Sequence, residues 1–243
     1  MLSMSRLAAA SRDILPRMDN NRPATHQPLA ALFGGGAVLM LTLLLAHPHE
    51  SLHSFAEVVD FEIVHRAANT AVHGCILGVL ILLLAAHVSL ARLVVPLKWL
   101  VTIAVIAFGF ACVLLTASLV LDGFVTPTLA IQFRAAKDAA LQQSIQAQIQ
   151  FCGTCIRTLM PMALISFAAS ALAWVGPLVR LGGRGSAIGL VGGAIGAVIA
   201  IMVSTVAPEA LNHVLMGGLF LVALWQLTLA ICVSGSGAPM LGR

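Results

Sequence analysis

Six stretches of this chain, residues 29–46, 71–91, 99–121, 158–178, 186–207 and 214–233, contain no Asp, Glu, Lys or Arg. A helix needs about 20 predominantly apolar residues to cross a hydrocarbon layer of roughly 30 Å, and each stretch is close to that length. Backbone groups in lipid must be satisfied within a helix or a closed barrel, and these long uninterrupted runs lack the ten-residue alternation of barrel strands. The expected fold is therefore all-α, a polytopic membrane protein with a six-transmembrane-helix bundle and amphipathic outer helices. Composition agrees, since 60% of the residues are hydrophobic and 9% are charged, against about 25% charged in a soluble domain. An ordinary cytosolic enzyme, a disordered chain and a secreted disulfide scaffold are excluded, and the lipid bilayer is the first partner.

Orientation follows from Lys and Arg, which accumulate in short cytoplasmic loops. With the N-terminus inside, the cytoplasmic set is Arg6, Arg12, Arg17, Arg22, Arg92, Lys98, Arg180, Arg184 and Arg243, against Arg66, Arg134, Lys137 and Arg157 outside. Nine against four predicts both termini in the cytoplasm of a bacterial inner membrane, with an organelle membrane as the alternative. Residues 1–28 read as a flexible cytoplasmic tail, 29–234 as a single transmembrane domain and 235–243 as a second tail. The first apolar run is longer than a signal-peptide core and lacks a small-residue cleavage site, so it reads as a retained span. The net charge of +4 restates the topology signal and gives no reason to invoke nucleic acid.

Two outer connections are long enough to carry structure. Leu52, Phe55, Val59 and Ile63 fall at helical spacing, with His49, His53, Glu57 and Asp60 on another face, predicting an amphipathic helix that leads into the second span. Asp122, Gly123 and Pro127 are expected to stop the third helix. Residues 128–150 contain no Gly or Pro and are expected to form one helix running into the fourth span. In the fifth span Gly185, Gly189 and Gly193 stand four apart, as do Gly192 and Gly196. Such spacing lets helices approach closely, within the chain, with a membrane-protein partner or in a homo-oligomer.

The ionisable residues carry the functional signal, because they are expensive near a bilayer. Seven of nine acidic residues and six of eight histidines, including His47, fall on the outer side in this topology. Glu62, His65, Asn69 and His73 follow at steps of 3, 4 and 4 along one helix. Glu209 and His213 are four apart at the start of the sixth span, as are His49 and His53, and Asp122 ends the third span at similar height. Imidazole and carboxylate groups at helical spacing suit a transition metal, Cu, Zn or Fe. The expected ligands are His65, His73, His213, Glu62, Glu209, His49, His53 and Asp122, and none is assigned a catalytic role.

Cys152 and Cys155 could form a reactive disulfide or bind a soft metal. Their placement resembles that of membrane thiol oxidases, which use a second outer pair; here Cys75, Cys112 and Cys232 lie on separate helices. Glu62-x-x-His65 resembles half of the carboxylate and histidine motif of di-iron bundles, whose second half is missing. A haem b between His73 and His213 or His47 is a lesser alternative to a bare metal. No phosphate-binding loop, nucleophile elbow or zincin pattern is present. The functional expectation is an outer-facing metal site for redox chemistry, metal handling or complex assembly. The alternatives are a small proton- or cation-coupled transporter or channel, and a non-catalytic subunit.

Overall fold

The apolar runs become helices because hydrocarbon offers no partner for a free N–H or C=O. The computed structural model describes residues 26–47, 54–94, 96–205 and 211–234. Its elements in chain order are α1 (His26–Ala46), α2 (Phe55–Leu93), α3 (Lys98–Val120), a π-helical segment (Leu121–Val125), α4 (Thr126–Ala135), α5 (Ala139–Arg180), α6 (Gly183–Thr205) and α7 (Leu211–Ser234). Six helical runs are long and apolar enough to cross a bilayer. Ile81, Ile106, Val113, Leu190, Ile201 and Ile231 are each more than half exposed, which an aqueous surface would not tolerate at such density. The chain is an all-α, multi-pass membrane protein.

The spanning helices close into a ring. Each packs against its neighbour in sequence, α3 against α5 and α5 against α6 most extensively, and α7 returns to α1. The centre is filled from several helices by Phe33, Leu83, Phe108, Leu164, Trp174 and Leu229. The glycines of the fifth span set its closest contact. A Cβ on Gly185 or Gly196 would meet the backbone oxygens of Leu178 or Ala168 at 2.8 and 2.9 Å, and one on Gly189 or Gly193 would crowd Val175. These four glycines thus seat α6 on α5 of the same chain, while Gly192 receives the ring of Trp225 from α7.

Two helices are much longer than a membrane requires. The 42 residues of α5 make a helix of about 63 Å, roughly twice the hydrocarbon thickness. The 39-residue α2 begins at Phe55 behind a capping box, in which Ser54 Oγ accepts from the Glu57 N–H and Glu57 answers to the Ser54 N–H. The amphipathic stretch and the second span are therefore one continuous helix. Its first turns pack with α4 and the start of α5 around Val59, Ala130, Ile145 and Ile149, a small core separate from that of the ring. Phe55 meets Phe133 edge to face at 5.2 Å, and Asp60 pairs with Arg134 at the surface. The start of α2, α4 and the start of α5 thus share a small core of their own, separate from that of the ring.

The third helix does not stop where its sequence signals it should. It widens into the π segment and continues as α4, and the break before the fourth span falls later, at Ala136–Asp138, where Asp138 caps α5. Residues 128–150 are thus two helices rather than one. Proline has no N–H to give the carbonyl one turn back and clashes with it in a regular helix. One π turn supplies the extra room, and the Thr126 N–H bonds to the Leu121 carbonyl. That shift leaves the carbonyls of Asp122 and Gly123 without helical donors. Asn69 Nδ2 and Thr70 Oγ1 of α2 donate to them at 3.3 and 2.8 Å.

Candidate metal centre

The π segment and α2 approach so closely because residue 123 is glycine. A Cβ there would lie 2.5 Å from the Cβ of His73. The contact brings the side chain of Asp122 over the ring of His73, whose Nε2 stands 3.0 Å from Asp122 Oδ2. His47, one residue beyond α1, completes the group, its ring packing edge-on against that of His73 with centroids 5.1 Å apart. One ligand atom from each of His47, His73 and Asp122 lies within 4.8 Å of the others. His73 is buried, while Asp122 and His47 are partly exposed, so the group sits at a mouth of the bundle with one side accessible.

The hydrogen bonds around His73 determine its chemistry. Nδ1 lies 2.8 Å from the carbonyl of Asn69, an acceptor only, so this nitrogen carries the proton and donates. In the neutral ring Nε2 is then a lone pair, and it points at a carboxylate oxygen. Two acceptors 3.0 Å apart repel unless a cation sits with them, either a second proton on the ring or a metal ion. Protonation of Nδ1 toward a backbone carbonyl with Nε2 left as donor atom is the usual arrangement of a ligating histidine.

A second tier stands behind this pair. Asn69 Nδ2 donates to Glu62 Oε2 at 3.4 Å as well as to the Asp122 carbonyl, tying both acidic residues to one amide. Glu62 is buried, and Asn69 Oδ1, also buried, has no hydrogen-bond partner among the described residues. The site is therefore rich in acceptors, with two carboxylates and an unpaired amide oxygen, as a cation requires.

The structure brings together only part of the set expected from spacing. His73 and Asp122 form the core, with Glu62 in the tier behind. His65 is separate: its Nδ1 bonds to the Phe61 carbonyl at 3.1 Å and its ring lies against that of Phe61. Eight residues rotate a helix about 80° past a full turn count, which carries His65 to the flank while Glu62, Asn69 and His73 stay aligned. His213 is exposed on α7, whose backbone packs mainly against α1 and α6. His49, His53 and Glu209 lie outside the described residues. His47, expected only as one possible partner of a haem beside His73 and not in the bare-metal set, belongs to the group; its signal is its position just past the first span.

The cysteine pair is not part of the trio, although Cys152 meets Thr126 just past the π segment. Cys152 is buried and Cys155 half-buried on α5, and both are free thiols. His87, the other histidine of α2, has both ring nitrogens engaged, by Trp174 and Gln226, which leaves none open to a haem iron.

Comparison with known protein families, with curated proteins and with solved structures finds no match.

Proposed function

We propose that this protein binds a divalent transition-metal ion through His47, His73 and Asp122 at the non-cytoplasmic mouth of a bacterial inner-membrane bundle, and that it handles the ion in exchangeable form. The observation that carries this reading is the convergence of one ligand atom each from His47, His73 and Asp122 to within 4.8 Å of one another, with His73 Nε2 3.0 Å from Asp122 Oδ2. Two imidazoles and a carboxylate suit Zn²⁺ or Fe²⁺, and the absence of sulfur from the trio disfavours Cu(I). Three protein ligands leave a coordination position open, as exchange or chemistry at the ion requires. The Lys and Arg distribution supports the orientation.

A proton would fit between the same two atoms, and a proton relay is the second reading. The bundle core argues against a path through its depth, since among the described residues Ser118 is the one buried polar side chain that α2 and α3 place between the metal centre and His87. Metal analysis of the detergent-purified protein separates the two readings. Near-stoichiometric Zn or Fe, retained in His65→Ala and His213→Ala but lost in His73→Ala and Asp122→Asn, is the expected result. Wild-type protein that takes up no Zn²⁺ or Fe²⁺ on titration would overturn the metal reading and favour the relay.

A further inference from the structure

At the other end of α2 the ring encloses a second polar group, 14 residues and about 21 Å from His73. His87 is fully buried. It stacks on Phe108 at 3.9 Å and meets Phe33 edge-on. Trp174 Nε1 lies 3.2 Å from His87 Nδ1. An indole can only donate, so Nδ1 accepts and the imidazole proton is on Nε2. That nitrogen donates to Gln226 Oε1 at 3.0 Å. The amide orientation follows in turn, because the oxygen must face His87 and the NH₂ must face away from it.

Gln226 Nε2 has no hydrogen-bond partner among the described residues, nor has Nε1 of the adjacent Trp225, and both residues are buried. Both line one small cavity of about 10 Å³, whose other walls include Phe108, Phe167, Ile195 and Val222. The residues that line it thus carry two unpaired neutral donors and no strong acceptor. A cation finds nothing to coordinate it, and two neutral donors do not compensate the desolvation of an anion. About 10 Å³ matches one water molecule, and an unpaired buried donor costs about 1–3 kcal/mol.

We infer that this cavity binds a single internal water, which accepts hydrogen bonds from Gln226 Nε2 and Trp225 Nε1. Its own protons face the aromatic rings in the wall, which are weak acceptors. The water completes a row that runs from Trp174 of α5 through His87 of α2 to Gln226 and Trp225 of α7, and so links three non-consecutive helices in the middle of the bundle. This site is independent of the metal centre.

Water-selective magnetisation transfer in ¹⁵N-labelled protein in detergent tests it. The three indole resonances, of Trp99, Trp174 and Trp225, are assigned by Trp→Phe substitution. A water cross peak is expected at the Trp225 indole and at the Gln226 amide, and none at Trp174, whose N–H is bonded to His87. Val222→Ile adds one methylene to the wall without touching a polar group. It should abolish both cross peaks while leaving the Trp174 indole shift in place. Absence of both cross peaks from the folded wild-type protein, or their persistence in Val222→Ile, would overturn the inference.

Discussion

His73 is held through both ring nitrogens, and the two contacts have different consequences. The bond from Nδ1 to the Asn69 carbonyl orients the ring, whereas the approach of Nε2 to Asp122 sets an imidazole nitrogen and a carboxylate oxygen where a proton or the proposed ion would be shared. Asn69 serves the site twice, through its carbonyl and through the amide that joins Glu62 to the Asp122 backbone. Replacing Asn69 by Ala keeps the carbonyl and removes the tie. Loss of such an outer-shell partner costs about 10–100-fold in metal affinity, so a Zn²⁺ titration of Asn69→Ala should show a drop in that range, with His65→Ala unchanged. Gly123 is the other sensitive position. An added methyl 2.5 Å from the His73 Cβ must push α2 and the π segment apart. Gly123→Ala should therefore lose the ion and lower the unfolding temperature together, as read by metal analysis and thermal melting.

At the scale of the element, a local sequence conflict has been turned into the site. Pro127 has no N–H to give the turn before it, and beside it the π segment carries Asp122 against α2, where Asn69 and Thr70 donate to the carbonyls of Asp122 and Gly123. Elsewhere, close packing depends on missing side chains. A Cβ on Gly192 would fall 2.4 Å from the Trp225 ring, whereas one on Gly35 would meet nothing within 4 Å. Gly192→Ala should destabilise the protein by about 1–3 kcal/mol through overpacking. Gly35→Ala should be neutral or stabilise it by up to about 1 kcal/mol, because Ala is the better helix former. Thermal unfolding of the two variants in one detergent compares them directly.

For the whole molecule, the His47, His73 and Asp122 group is a meeting of three distant segments, the residue after α1, the middle of α2 and the π segment after α3, and the metal binding proposed for it would be coupled to pH. Metal ligands bind deprotonated, so protons compete with the ion. The sign follows: lowering the pH supplies protons that compete with the ion for the ligand atoms, and apparent affinity falls about tenfold per pH unit for each proton displaced. Zn²⁺ titrations across a pH series should give weaker binding at acid pH, whereas pH-independent affinity would exclude imidazole ligands.

The membrane class, the six spans and the alignment of Glu62, Asn69 and His73 were legible in the chain itself, because hydropathy and the helical repeat are properties of neighbouring residues. The glycine spacing was legible as close packing, but its partner was not. Only the folded ring decided that α6 seats on α5, that His47 joins the centre while His65 and His213 stay outside it, and that Pro127 bends the third helix into a π turn instead of ending it. Each of those outcomes depends on which helix faces which, and that is set by contacts between residues many tens of positions apart, where no local period carries information.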